Sequence, residues 1–140
     1  MTLGRGPILW KSYKQKSVTK SSCEAEILAL SDMVSLAIWM RDMFQHMYSS
    51  IAGKITIFED NQAAIHLINN GMSTSDRSRH IHIRNNFVNQ FVSSGDIEVV
   101  HCPTKLMIAD ILTKPLQPAQ FLYLRDYLLG YKIPEKGCVK

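Results

Sequence analysis

The stretch from Ser21 to Met47 constrains this sequence more than any other feature, because it contains no glycine or proline. Ser21 is followed three residues later by Glu24, which is the spacing of a capping box that satisfies free backbone N–H groups at the start of a helix. The stretch therefore predicts one long α-helix that begins after Ser21 and ends near Met47.

Glu26 is the residue of this helix that needs an explanation. At roughly 100° per residue it falls on the apolar stripe, whereas Glu24 and Asp42 fall on the opposite side, where water solvates a charge. Burying a carboxylate is costly unless the group is paired or binds a cation. Glu26 is therefore a candidate functional residue, although a first-turn glutamate can also stabilise the helix dipole and reach water. The predicted stripe consists of Glu26, Leu30, Met33, Ala37, Met40 and Phe44.

Length and composition predict one soluble globular domain. The chain has 140 residues, of which 46% are hydrophobic and 20% are charged, so it is long enough to bury a core. We expect one domain over residues 1–130 and a frayed tail over residues 131–140. The net charge of +4 suits a polyanionic partner, but ordinary solubility accounts for it equally well.

The cysteines and the hydropathy exclude several classes of protein. Cys23, Cys102 and Cys138 are far apart and odd in number, which argues against a disulfide framework and against a zinc cluster. A reducing intracellular compartment, cytoplasmic or nuclear, is the expectation. No apolar run approaches the ~20 residues needed to span a bilayer, so no membrane partner is expected.

The remaining pattern predicts an α/β fold. The strand signals are short apolar runs, and the helix signals are apolar residues at helical spacing bounded by capping residues. The predicted elements are a strand over Pro7–Tyr13, a strand over Lys54–Asp60, a helix over Gln62–Asn70, a helix over His80–Ser94, a strand over Asp96–Cys102, a short helix over Lys105–Lys114 and a last helix over Pro118–Gly130.

Acidic residues follow both inner strands. Asp60 comes at the end of the Lys54–Asp60 strand and at the start of a helix, and Asp110 lies in the short helix after the next strand. Sites in open α/β sheets are built at such strand ends, although a plain helix N-cap is the commoner role for an aspartate. If Glu26, Asp60 and Asp110 converge, divalent cations must offset their repulsion, and oxygen ligands favour magnesium or manganese.

The lysines before the long helix form a positive cluster of Lys11, Lys14, Lys16 and Lys20. A solvated loop and a surface that contacts phosphate both agree with this pattern.

Four blocks of the sequence carry a more specific resemblance. They are WKSYKQKSVTKSSCEAEILAL, FEDNQAAIHLINN, RSRHIHIRNNFV and SGDIEVVHCPTKLMIADILTKPL. In order and spacing, these blocks resemble the ribonuclease H domain at the end of the Pol polyprotein of copia-type (Ty1/copia) retrotransposons, from about Ile8 to Leu129. The resemblance implies a ribonuclease H-like fold and cleavage of the RNA strand of RNA–DNA hybrids by two Mg²⁺ or Mn²⁺ ions held by four acidic residues.

The resemblance assigns roles residue by residue. Glu26 matches the second glutamate of the S-S-x-E-A-E motif, Asp60 the aspartate of D-N-x-x-A-I, and Asp110 that of A-D-x-x-T-K. These three are the implied catalytic metal ligands, and His101 matches a histidine that assists product release. The implied nucleic-acid-binding residues are Lys11, Lys14, Lys16, Lys20, Asn61, Arg77, Arg79 and Arg84.

One implied ligand has no counterpart in this sequence. In the family, the first catalytic aspartate lies on the first strand, upstream of the block that begins near Ile8, whereas here no acidic residue precedes Glu24. We therefore expect an N-terminally truncated ribonuclease H-like domain with an incomplete mixed sheet of about three strands and four to five helices. The resemblance also implies a second partner, the upstream reverse transcriptase region of Pol. We expect this chain to be inactive alone.

Two other interpretations remain open. One is a non-catalytic module that binds nucleic acid or another partner, whose affinity would fall with salt and ignore magnesium. The other is a decayed reading frame without a selected function.

Overall fold

The computed structural model describes residues 1–3, 6–15, 19, 21–48, 53–71 and 79–132 of the chain. The described elements form a mixed α/β structure with four α-helices, four short strands and two 3₁₀ helices. In chain order they are β1 (Thr2–Leu3), β2 (Gly6–Pro7), α1 (Ser22–Met47), β3 (Ile55–Glu59), α2 (Gln62–Asn70), α3 (Arg79–Ser93), β4 (Ile97–His101), the 3₁₀ helices Thr104–Leu106 and Ile108–Leu112, and α4 (Pro118–Leu128).

The chain divides into two compact units. The central unit is Val18–His101, and the terminal unit combines Met1–Ser17 with Cys102–Lys140. The expected division into a domain over residues 1–130 and a tail over residues 131–140 stays a prediction, and residues 133–140 lie outside the described part of the chain.

The sheet of the central unit consists of β3 and β4. The two strands pair in parallel, with Ile55 opposite Ile97 and Glu59 opposite His101. The sequence predicts both strands to within one residue at each end. Their apolar residues pack on a buried cluster from α1, α2, α3 and β4, which consists of Leu30, Val34, Ile68, Val88 and Ile97. Within the described residues, β3 pairs with no second strand.

The long helix α1 confirms the predicted capping signal. Ser21 adopts an extended conformation, and its Oγ accepts a hydrogen bond from the Glu24 backbone N–H at 3.2 Å. The helix continues without interruption to Met47 and packs on α3 and α2. Its first two turns contribute Ile27 and Leu28 to a second buried cluster with Ala64 of α2 and Ile81 of α3.

The predicted orientation of α1 is wrong at its acidic start. Glu24, expected in solvent, is buried with 8% exposure, whereas Glu26, expected on the buried stripe, is only half-buried. Met33 of the predicted stripe is 37% exposed. The buried side is centred nearer Ile27 and Val34, because α2 and α3 cover that side of the helix.

Two asparagines of α3 bind the end of α2. Asn85 is fully buried, and its Nδ2 donates to the Leu67 carbonyl at 3.2 Å. One turn later, Asn89 Nδ2 donates to the Ile68 carbonyl. These carbonyls belong to the last turn of α2, where no further helical N–H can satisfy them. Gly71 then ends the helix with φ of 75°, as the Asn-Gly signal predicts.

The described part of the terminal unit contains a small two-stranded sheet and the helix α4. β1 and β2 pair antiparallel, with Thr2 opposite Pro7 and Leu3 opposite Gly6. At the other end of the unit, α4 packs against the 3₁₀ helix Ile108–Leu112. Its Leu124 side chain is 1% exposed. Pro118 occupies the first turn of α4, where its missing N–H costs nothing, as predicted.

Two predictions about the sheet are wrong. The strand expected over Pro7–Tyr13 ends at Pro7, and beyond it the Ile8 and Leu9 N–H groups both donate to the Met1 carbonyl, at 3.0 and 3.4 Å. The residues that follow are not covered by a sheet, since Trp10 is 65% exposed and Tyr13 is 51% exposed. The expected single mixed sheet of about three strands is therefore, in the described residues, two separate two-stranded sheets.

The helix predicted over Lys105–Lys114 is also different. The segment forms two 3₁₀ helices, because the backbone of Met107 is extended and interrupts the turn. Thr104 is the first residue of the first 3₁₀ helix, and Pro103 precedes it without a side-chain capping bond. Among the described residues, no helix combines the length and the apolar character that a membrane crossing requires.

We predict that Asn85→Ala destabilises the central unit. The substitution removes the hydrogen bond to Leu67 and leaves that carbonyl unsatisfied beside a small cavity, so the free energy of unfolding in urea should fall by about 1–3 kcal/mol. Asn86→Ala is the matched control, because Asn86 is exposed on the same helix and the change in helix propensity is the same. Equal effects of the two substitutions would contradict this role for Asn85.

Candidate functional site

Three polar residues follow one another at the carboxyl end of β3. Glu59 is the last strand residue and is buried, and Asp60 and Asn61 come next and are half-buried. Asn61 is the N-cap residue of α2. Its Oδ1 accepts hydrogen bonds from the N–H groups of Ala63 at 3.1 Å and Ala64 at 3.2 Å. Asp60 is therefore not the N-cap of α2, which removes the plain structural role that its position suggested.

Glu59 has an unusual electrostatic environment. Burial raises the pKa of its carboxyl group to about 7, although the Asn61 backbone N–H, which donates to Oε1 at 3.0 Å, lowers it. The negative charges of Glu26 and Asp60 raise the pKa further. Glu59 therefore keeps a proton near neutrality in an environment that two other carboxylates share.

Glu26 and Asp60 are thus both close enough to Glu59 to affect its ionisation. Glu26 is placed there by the second turn of the capped helix α1, and Asp60 by the end of β3. These two predicted site residues lie in the central unit.

His101 lies beside this group in the sheet. It is the last residue of β4 and is directly opposite Glu59 in the parallel register. Residues opposite each other in neighbouring strands project to the same face of the sheet. His101 is exposed, so the strand ends combine a buried acid with an accessible imidazole.

Asp110 belongs to the terminal unit. It lies in the middle of the 3₁₀ helix Ile108–Leu112, and its side chain is 8% exposed. Lys114 Nζ is 2.8 Å from Asp110 Oδ1, so the carboxylate is paired with a lysine from the next turn.

The described acids do not fit a divalent metal ion as they stand. Across the ranges that the structure describes, no group of three or more His, Cys, Asp or Glu side chains is placed to hold a metal. Glu26 and Asp60 supply two carboxylates in one unit, and Asp110 is already paired with an ammonium group in the other.

The predicted nucleic-acid-binding residues differ in their surroundings. Lys11, Lys14 and Arg79 are exposed, and Lys11 Nζ lies 4.6 Å from the centre of the Tyr13 ring. Arg84 is ion-paired with Asp32 and lies 3.4 Å from Ser31 Oγ, so it joins α3 to α1. Asn61 caps α2. The remaining three, Lys16, Lys20 and Arg77, lie outside the described residues.

Glu59 is the residue that the sequence analysis missed. Its signal was present in the strand pattern, because side chains alternate along a strand and Ile55, Ile57 and Glu59 share one face. Ile55 and Ile57 pack against the core, so an acidic residue two positions further along the strand is expected to be buried.

We predict that Glu59 makes the stability of the chain depend on pH. Below pH 4.5 both the folded and the unfolded states hold the proton of Glu59. Between pH 4.5 and about 7 the folded state keeps it and the unfolded chain releases it, so the free energy of unfolding should fall as the pH rises. The fall is on the order of 3 kcal/mol at most. Urea unfolding between pH 4 and pH 8 measures it.

Glu59→Gln should remove most of this fall, because glutamine is neutral and keeps an oxygen for the Asn61 N–H. Glu98→Gln is the control, since Glu98 is on β4 but its side chain is 42% exposed. A pH dependence that is the same in wild type and Glu59→Gln would show that Glu59 ionises normally.

Similar proteins come from one class of mobile genetic element. The chain is 36% identical over 132 residues to the retrovirus-related Pol polyprotein from transposon RE2 of Arabidopsis thaliana, and the match covers 94% of this chain. It is 37% identical over 119 residues, or 85% of the chain, to the corresponding polyprotein from transposon RE1 of the same plant. It is 30% identical over 120 residues, or 86% of the chain, to that from transposon TNT 1-94 of Nicotiana tabacum.

The chain spans only a small share of these relatives, 9% of the RE2 polyprotein, 8% of RE1 and 9% of TNT 1-94. No protein-family model matches the chain. No solved structure matches it. The chain is therefore homologous to a short part of the retrovirus-related Pol polyproteins of transposons.

Proposed function

We propose that the chain is part of the ribonuclease H region of a copia-type Pol polyprotein and that it does not cleave RNA–DNA hybrid by itself. The observation that carries the proposal is the grouping of Glu26 and Asp60 around the buried end of β3. These are two of the three acids that the family motifs assign to the metal site, and they come from distant parts of the sequence.

The unpaired edge of β3 agrees with a domain that lacks strands. β3 pairs with β4 on one side and, in the described ranges, with no strand on the other. An unpaired strand edge presents free backbone N–H and C=O groups that favour addition of another strand. In the proposed family the first strand is central in the sheet and carries the missing aspartate, so its addition would bring a carboxylate to this sheet.

Glu59 is a poor replacement for the missing ligand. Its pKa of about 7 means that a large fraction is protonated at neutral pH, and its Oε1 already accepts the Asn61 N–H. A metal ligand must be deprotonated and must offer an oxygen to the ion. The presence of a further acid at the strand end therefore does not restore the proposed site.

The proposed cofactor of the completed site is Mg²⁺ or Mn²⁺, and the proposed partners are an RNA–DNA hybrid and the reverse transcriptase region of the same polyprotein. Of the predicted nucleic-acid-binding residues that the structure describes, the exposed Lys11, Lys14 and Arg79 are the ones proposed to contact phosphate. Arg84 is less suitable, because Asp32 already neutralises it.

We predict that the 140-residue chain does not cleave a labelled RNA–DNA hybrid in the presence of excess Mg²⁺. Two carboxylates near β3 cannot neutralise and position two ions. Gel analysis of the RNA strand measures cleavage. The matched control is the Glu26→Gln chain, which reports contaminating nuclease. Magnesium-dependent cleavage that the wild type shows and Glu26→Gln lacks would contradict the proposed inactivity.

We predict that a completed chain is active. A chimera joins the segment just upstream of the matched region of the RE2 polyprotein to this chain and thereby supplies the first strands. It should cleave the hybrid, and Glu26→Gln, Asp60→Asn or Asp110→Asn should each reduce cleavage to background. Asp42→Asn is the control, because Asp42 is exposed and lies on the other side of α1. A folded chimera that is inactive, or that is indifferent to these three substitutions, would contradict the proposal.

A further inference from the structure

One edge of β3 has no strand paired to it. Within the ranges that the structure describes, β4 pairs with the other edge and no strand extends the sheet beyond β3. None of the residues Ile55–Glu59 is a proline or a lysine, the residues that often prevent an edge strand from pairing further. Such an edge presents backbone N–H and C=O groups that can bind another strand.

The pairing with β4 determines which residues of β3 face the free edge. The Ile55 N–H donates to the Asp96 carbonyl at 3.0 Å, so the backbone groups of Ile55 point to β4. Backbone groups alternate between the two sides along a strand. Those of Ile57 therefore also point to β4, whereas those of Thr56 and Phe58 point to the free edge. Thr56 and Phe58 are thus the residues that can hydrogen-bond to an added strand.

We propose that a second copy of this chain binds the free edge of β3, with the two β3 strands antiparallel about a two-fold axis at Ile57. Ile57 is the middle residue of β3, so this register overlaps the whole strand. Thr56 then lies opposite Phe58 of the second copy, and each donates its N–H to the carbonyl of the other. A β-branched residue opposite an aromatic residue is a favourable cross-strand pair, and the symmetry forms it twice.

The charges that flank β3 favour this register. In an antiparallel pair centred at Ile57, residue 54 lies opposite residue 60 of the second copy. Lys54 is therefore opposite Asp60 on both sides of the axis, and opposite charges across two strands stabilise their pairing. The Lys54 side chain is 48% exposed, and its Nζ lies 3.5 Å from Glu98 in a surface ion pair. Because surface pairs contribute little to stability, the ammonium can turn to the second copy at small cost.

The outer edge of β4 is less suitable for such pairing, although it also has no partner strand within the described residues. The segment from Asp96 to Cys102 contains two acidic residues and no lysine or arginine. No symmetric register of β4 therefore places a lysine or arginine of this segment opposite an acid. The opposite charges at the two ends of β3 distinguish it from β4, and the inference does not rest on the proposed function.

Reversal of the flanking charges tests the proposal on the full chain, with the dimer dissociation constant measured by sedimentation equilibrium. Lys54→Glu and Asp60→Lys should each weaken the dimer by about tenfold, since each places like charges opposite each other. An equimolar mixture of the two variants should recover a dimer as tight as that of wild type, because opposite charges then meet on both sides of the axis. Lys105→Glu is the matched control, since Lys105 is exposed and outside β3, and it should leave the dimer unchanged.

Thr56→Pro tests the backbone contacts. Proline removes the N–H that faces the free edge but leaves the N–H groups that bind β4, so the variant should fold and be monomeric. Thr56→Val is the matched control. It loses the same hydroxyl, which donates to Glu98 at 2.7 Å, but it keeps the backbone N–H and should still dimerise. Far-UV circular dichroism verifies the fold of each variant.

A wild-type chain that stays monomeric at every concentration would overturn the inference. So would a mixture of Lys54→Glu and Asp60→Lys that associates no better than either variant alone. The mixture decides the matter if Thr56→Pro does not fold. None of these results bears on cleavage by the chimera, and an inactive chimera would leave the dimer of this chain unaffected, so failure of the inference and failure of the proposed function are distinguishable.

Discussion

Parallel pairing of β3 with β4 is the interaction on which the described site depends. Parallel strands need a crossover between them, and here α2 and α3 supply it. Both strands therefore end at the same edge, which places Glu59 opposite His101 and puts Asp60 immediately beyond. The asparagines of α3 that bind the last turn of α2 connect the two crossover helices directly. The positions of Glu59 and Asp60 are thus a consequence of the sheet and its crossover.

The chain neutralises two buried carboxylates in different ways. Glu59 lies near two other acids, so burial and repulsion raise its pKa to about 7, and a proton from the solvent neutralises a large fraction of it near neutral pH. Asp110 has a lysine one turn away, so an ion pair within the chain neutralises it. Of the two, only Asp110 is an acid that the family motifs assign.

Local signals in the sequence predicted most of the elements and fewer of their contacts. The capping serine, the Asn-Gly stop and the alternation along β3 and β4 act within a few residues, and α1, α2 and both strands follow from them. The 3₁₀ form around Met107 depends on the extended backbone of that single residue, which the apolar pattern does not indicate. Of the candidate site, Glu26 and Asp60 followed from motif and strand position. Glu59 did not follow from these signals, because its burial depends on the packing of β3 against the rest of the central unit.

Glu24 is more buried than Glu26, the reverse of the prediction, and this shows when helical periodicity fails to identify the buried side of a helix. Periodicity identifies a buried side only when the other side is polar. On α1 the side away from the core carries Trp39, 60% exposed, and Met47, 61% exposed, so apolar residues surround the helix and the pattern does not choose between sides. Tertiary contacts determine which side of α1 faces the core, and one of them is the ion pair of Arg41 with Asp96 at 2.6 Å. A helix that is apolar on both sides is typical of one covered on both sides.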